Sequence, residues 1–290
     1  MLRTLTCAAA MFCLLISATA EAQRPSETLS RIKESGQFRI GYVPDAAPLS
    51  FVDDSGAVVG YSIDLCRHIA SNIRFELSLD VLDVVFVPLV SMEDRIKAVE
   101  NGDVDIECGA TTVTLSRRER VDFTLMTFIT GSAVLSLKSK EIAGIDGLDK
   151  TRIAVVAGTT TEDVMRRVAE VNDFRINLVL IHTHDEGMKL LNGGKVDGYA
   201  SDRAMLIGQV FRNANMASTY SMTRSALSFE PYGFMTKRGD TEFRLTADRA
   251  LASLFRTARI RRVYQNWFGR YGEPLSPIVE AMYQFQAVGE

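Results

Sequence analysis

Four short segments carry residue types able to do chemistry, and each follows a stretch that reads as a β-strand. The richest is Gly109-Ala110-Thr111-Thr112-Val113-Thr114-Leu115-Ser116-Arg117-Arg118-Glu119-Arg120, where hydroxyls and guanidinium groups gather after an apolar run. A planar guanidinium donates two parallel hydrogen bonds to a carboxylate, so an arginine here is a natural clamp for a small anion. The plain alternative is a solvated basic turn. Gly158-Thr159-Thr160-Thr161-Glu162 joins a strand to a helix, and Thr159 with Glu162 matches a capping box. A carboxylate lodged against Gly158 to Thr160 would meet hydroxyls, free N–H groups and the positive end of the helix dipole. The third segment, Ser201-Asp202-Arg203, ends a strand on a carboxylate that either caps the next helix or offers a counter-ion to an ammonium group. The fourth carries His182 and His184, two apart. No third metal ligand accompanies them, so they read as polar wall rather than as a metal site. No GxSxG, P-loop or GxGxxG pattern follows a strand, and Cys108 with His184 lacks the activating partner that a nucleophile needs.

The elements that must hold these segments alternate. Phe38 to Val43 reads as a strand, broken by Pro44-Asp45-Ala46-Ala47-Pro48. Ile63, Cys66, Ile69, Ala70 and Ile73 recur at helical spacing, and Val81 to Val87 reads as a parallel strand covered on both faces. A helix carrying Ile96 and Val99 stops at Asn101-Gly102, and Val104 to Cys108 is the next strand. The order recurs from Arg152: strand Ile153 to Ala157, a helix from Thr160 or Thr161, strand Ile176 to Ile181, a helix, and strand Val196 to Ala200. Leu190-Leu191-Asn192-Gly193-Gly194-Lys195-Val196-Asp197 echoes Ala98 to Asp105 at the corresponding place. The expected fold class is therefore α/β, with two lobes, each a mainly parallel sheet flanked by helices, and a cleft between them. Ligands bind such sheets outside the carboxyl ends of the strands, where all four segments lie.

Composition narrows the function. Arg3, the apolar run Leu5 to Ile16, and Ala18, Ala20 and Ala22 make residues 1–22 read as a secretory signal peptide, cut after Ala20 or Ala22. About 268 residues then remain, more than one average domain. Arg3 and Glu21 cancel, so the mature chain keeps the net charge of −3, and nothing calls for nucleic acid. No second apolar run spans a membrane. Cys66 and Cys108 remain in a compartment that permits disulfides, each in a segment reading as buried, and sequence leaves their pairing open.

Several ordered markers then match a known family: Val58-Val59-Gly60-Tyr61-Ser62-Ile63-Asp64, Asn101 to Thr112, Gly158-Thr159-Thr160, Glu230-Pro231-Tyr232-Gly233 and Trp267-Phe268. From about Phe38 to Tyr271 the chain resembles the periplasmic amino-acid-binding proteins of polar-amino-acid ABC importers, solute-binding protein family 3, and is especially similar to the glutamate/aspartate-binding branch. The resemblance implies a periplasmic-binding-protein fold with lobe one at 26–129 plus 232–290, lobe two inserted at 132–229, and hinge crossings near 129–132 and 229–233. It implies that Arg117 clamps the ligand's α-carboxylate with Thr112 and the helix start at Thr159 and Thr160, and that Asp202 meets the α-ammonium. His184, Arg95 and Ser91 fall at the side-chain end. Val43 replaces a second side-chain arginine of the acidic branch, Ala110 replaces a serine, and one extra residue separates Ser91 from Arg95. Ala46 stands where many relatives stack an aromatic on the ligand.

The implied function is capture of a free amino acid, glutamate/aspartate first, by a monomer in the periplasm that delivers it to an ABC importer permease in the inner membrane. No cofactor, metal or catalytic residue is expected. The rival from another class is an enzyme like the periplasmic cyclohexadienyl dehydratases, with Glu107 and Glu162 as candidate acids.

Overall fold

Short hydroxyl and carboxyl side chains start most of the helices. Ser26, Ser91, Thr114, Thr159 and Thr183 each accept the backbone N–H three residues on, satisfying a donor that the helix itself cannot. The computed structural model describes residues 26–212, 218–257 and 259–289, so the leader expected over 1–22 lies outside the described residues. The chain runs through α1 (Glu27–Ser35), β1 (Gln37–Tyr42), β2 (Asp45–Ala46), β3 (Ser50–Val52), β4 (Val58–Val59), α2 (Tyr61–Glu76) and β5 (Asp83–Pro88). It continues with α3 (Met92–Glu100), β6 (Ile106–Glu107), α4 (Leu115–Arg118) and β7 (Val121–Thr130). A second sheet follows with β8 (Ser132–Leu137), β9 (Arg152–Val156), α5 (Thr160–Val171), β10 (Asn177–Ile181), α6 (His184–Asn192), β11 (Gly198–Asp202), α7 (Arg203–Arg212) and β12 (Tyr220–Met222). The chain returns in β13 (Glu230–Lys237) and ends in α8 (Thr241–Arg256), α9 (Arg259–Trp267) and α10 (Pro277–Phe285).

The two main sheets share one plan. The first has strand order β5-β1-β6-β13-β7 and the second β10-β9-β11-β8-β12. In each, three strands run parallel and two long-range strands join antiparallel, β13 and β7 in the first, β8 and β12 in the second. The strand, helix, strand order that recurs in the sequence therefore recurs as architecture. Asn101-Gly102 ends α3 as expected, with Gly102 at φ 73°. The central β11 is buried along its whole length. β5 is the edge of its sheet and half-buried: Val84 and Phe86 pack into the cluster that holds α2 and Val87 into the one that holds α3, so both faces are covered, though only in part. β6 is also shorter than the run Val104 to Cys108, holding Ile106 and Glu107 alone.

Lobe one is held by an aromatic stack. Phe128 lies against Phe268 with centroids 4.8 Å apart, Phe268 against Tyr264 at 4.9 Å, and Tyr61 edges onto both phenyl rings. Full burial of one such ring contributes roughly 1.5–3 kcal/mol. Cys66 of α2 and Cys108 after β6 form a disulfide, settling the pairing that sequence left open. Together with the Ser62 hydroxyl, which donates to the Gly109 carbonyl at 2.8 Å, it ties the threonine-rich turn to the core of lobe one. No helix among the described residues is long and apolar enough to cross a membrane.

Candidate functional site

The carboxyl ends of both sheets face one cleft, and the four chemistry-bearing segments line it. Thr114 caps α4 and so presents Arg117 one turn in; its Nη1 donates to the Thr112 carbonyl at 2.7 Å, which holds the guanidinium on the lobe-one wall. Burial and the nearby Arg95 charge push the Arg117 pKa down to about 10, against the pull of Glu230, Asp202 and Glu107. Its charge therefore lacks a full counter-ion. Opposite it, Thr159 caps α5, and Thr160 and Thr161 bring the positive end of that helix to the cleft.

Asp202 ends β11 in a buried cage of hydroxyls. Oδ1 accepts from Ser132 and Thr161, both at 3.1 Å, and Oδ2 from the Tyr232 phenol. Burial, followed by the charge of Glu230, raises the Asp202 pKa to about 6. Tyr232 reaches it because the turn pairs with β13: Thr112 bridges Tyr232, and the Gly233 N–H donates to the Thr111 carbonyl at 3.1 Å. Two residues earlier, Glu230 Oε2 accepts from Thr112 and Thr160, each at 2.7 Å, joining the lobes at the floor of the cleft.

At the far end Arg95 and His184 line the cleft with Val43, Ala46 and Ala110. Arg95 is not free: its Nε donates to buried Glu107 at 2.9 Å, and it also reaches Thr111, whose hydroxyl donates to Glu107 at 2.8 Å. Gly109 makes room for this pair, since a β-carbon there would stand 2.2 Å from Glu107 Oε1. Burial holds the His184 pKa below its usual value, with Arg95 adding to this and Asp45 and Asp185 opposing it, and its Nδ1 bonds the Tyr199 hydroxyl.

Of the residues singled out in the sequence, Arg117, Thr112, Asp202, Thr159, Thr160, His184 and Arg95 meet around the cleft. Ser91 does not join them. Its hydroxyl caps α3, accepting from the Asp94 N–H at 3.1 Å and donating to the Asp94 carboxylate at 2.6 Å. Sequence reasoning missed the parts played by Glu230 and Tyr232, Ser132 and Thr161, and Asp45. For the first two the signal was present, because a glutamate and a tyrosine flank Pro231 in a segment already marked by resemblance.

Proton competition at Asp202 has a measurable consequence. An ammonium group seated at Asp202 would pair with the carboxylate and not the acid, so its affinity would be full well above pH 6 and lost as pH falls through that value. Linkage gives about a tenfold weakening between pH 7.5 and pH 5, measured by calorimetry, and a flat profile over that range would contradict the assignment of Asp202 to a cationic group.

These features define a two-lobed protein that binds a small solute in the cleft between its sheets. The pattern of the bacterial extracellular solute-binding proteins, family 3, matches residues 38–270, and the chain belongs to that family. It is 31% identical over 269 residues to the L-glutamate/L-aspartate-binding protein of Pseudomonas aeruginosa, covering 92% of this chain and 87% of the relative. It is 26% identical over 254 residues to the glutamate/aspartate import solute-binding protein of Escherichia coli, covering 88% of this chain and 83% of the relative. Among solved structures, an ancestral arginine-binding protein bound to arginine superposes with a TM-score of 0.72 at 27% identity, covering 81% of this chain and 99% of that one.

Proposed function

We propose that this chain is a monomeric periplasmic receptor that captures a free L-amino acid and delivers it to an ABC importer permease in the inner membrane. The observation that carries this reading is the opposed pair in the cleft: buried Arg117 on the lobe-one wall and buried Asp202 at the end of the lobe-two strand β11. Each is short of a counter-charge, and an α-amino acid supplies both at once. Its carboxylate lies between Arg117, Thr112 and the α5 start at Thr159 and Thr160; its ammonium lies at Asp202. Only the closed form makes both contacts, so the ligand favours closure about crossings near 129–132 and 229–233, with lobe one at 26–129 plus 232–290 and lobe two at 132–229.

Glutamate and aspartate head the list of ligands, on the names of two relatives and on Arg95 and His184 at the side-chain end. Because Glu107 already shares the Arg95 charge and Val43 adds none, an acidic side chain gains little over its amide. Calorimetry on the mature protein against the twenty amino acids tests both points. The expected result is binding of glutamate and aspartate, with glutamine within about tenfold of glutamate. Binding of no amino acid would overturn the reading, and a glutamate preference beyond a hundredfold would require a cation other than Arg95.

The cleft serves binding and not turnover. Glu107 is committed to Arg95 and Thr111. At Glu162 burial pulls the pKa upward, but the Gly158 N–H and Arg166 outweigh it and hold the carboxylate below its usual value, the wrong direction for a general acid.

A further inference from the structure

The start of α6 is completed by the other lobe. Within lobe two, the Glu186 N–H goes to the Thr183 hydroxyl at 3.2 Å, the Gly187 N–H to the Thr183 carbonyl at 3.3 Å, and the Glu186 carboxylate reaches back to the His182 N–H at 3.0 Å. The Gly187 bond is already the first within the helix, and His184 and Asp185 carry two more of the four donors that a helix start exposes. Both go to Asp45 Oδ2 of lobe one, at 2.6 Å and 3.3 Å. The Asp45 carbonyl in turn accepts from the Gln209 side chain of α7 at 2.8 Å, and Gln209 is buried. Beside it, Gly208 lies so close to Ala47-Pro48 that a β-carbon there would stand 2.1 Å from the Ala47 carbonyl oxygen.

We propose that Asp45, Gln209 and Gly208 form a latch between the lobes, so that part of the affinity resides in closed-state contacts made without the ligand. The latch rests on the reading of the cleft as a site that closes on its solute. Asp45 borders the cleft, but Gly208 and Gln209 lie outside its lining. The latch acts through geometry: the anionic Asp45 meets the positive end of α6, and the bare Gly208 lets α7 approach the Ala47-Pro48 backbone. Parted lobes return the same donors and acceptors to water, so the net effect is modest, about a tenfold shift toward the closed form. Contacts made after encounter act on release and not on capture.

Gly208→Ala and Gln209→Ala in the mature chain test this. Alanine is a better helix former than glycine in the middle of α7, so the first variant leaves lobe two folded and obstructs only the approach of the lobes. Stopped-flow measurements should show dissociation about tenfold faster in both variants, by the same factor for every amino acid that binds, with association unchanged. X-ray scattering of the ligand-free proteins should give a larger radius of gyration for Gly208→Ala than for the parent. Parent-like release and radius in Gly208→Ala would overturn the latch, and so would a loss confined to one amino acid, which would make these residues sorters of side chains. If the parent binds no amino acid, the reading of the cleft fails, while the scattering comparison still decides the latch.

Discussion

Replacing Arg117 by alanine is expected to weaken amino-acid binding by about a thousandfold, beyond the reach of ordinary calorimetry, in a protein that still folds. Truncating one member of a buried, hydrogen-bonded charge pair costs 2–5 kcal/mol or more, because the carboxylate left behind keeps its desolvation and loses its partner. The loss is to the ligand and not to the fold. The lowered Arg117 pKa means that burial already disfavours this charge, and its guanidinium donates to the Thr112 carbonyl of its own turn. The unliganded melting temperature should therefore change by no more than a few degrees. Arg117→Lys separates charge from shape: it keeps a cation but not the planar pair of donors, so partial recovery is expected. Binding by Arg117→Ala within tenfold of the parent would remove this residue from the site.

The second large effect is at Asp202, where function and stability should move in opposite directions. Asp202→Asn keeps the size and an oxygen for the Ser132 and Thr161 hydroxyls, and turns an amide N–H toward the Tyr232 oxygen, but removes the charge that an ammonium seeks. Affinity should fall by about a hundredfold or more. The ligand-free protein should become more stable at neutral pH, because a carboxylate held at a pKa of about 6 by burial and by Glu230 is a cost to folding above that pH. That cost is about 3 kcal/mol, or roughly 6 °C in melting temperature for a chain of this length. The gain should shrink as pH falls below about 6 and vanish only below about pH 4, where the carboxyl is protonated in the unfolded chain as well as in the folded one. A drop in neutral-pH stability would show that the hydroxyl cage depends on the charge.

Local chemistry was legible in the sequence and long-range pairing was not. The Thr159 and Glu162 caps, the Asn101-Gly102 stop and the recurrent strand order depend on neighbours a few residues apart, and each appears in the structure. Arg117 and Asp202 stood out because a strand end places them at the cleft. Glu107 had no such signal: alternating with Asp105, it reads as one polar face of a strand, and only the fold brings Arg95 and Thr111 onto it. Glu230 lies 118 residues from Thr112 and 70 from Thr160, so nothing local announces that it joins them. The edge position of β5 was hidden for a related reason, since an apolar run does not reveal whether its strand is central or at an edge.

The place of β13 bears on how the molecule is made. It lies between β6 and β7 in the first sheet, yet it follows the whole of the second sheet in the chain. The lobe that is synthesised first is thus the last to be completed. Until residues 230–237 emerge, β6 and β7 have no strand to join them, and residues 26–130 hold a sheet that lacks its joining strand. The first sheet is therefore finished only when most of the chain has been made, and the two lobes are tied together in the order of synthesis as well as in space.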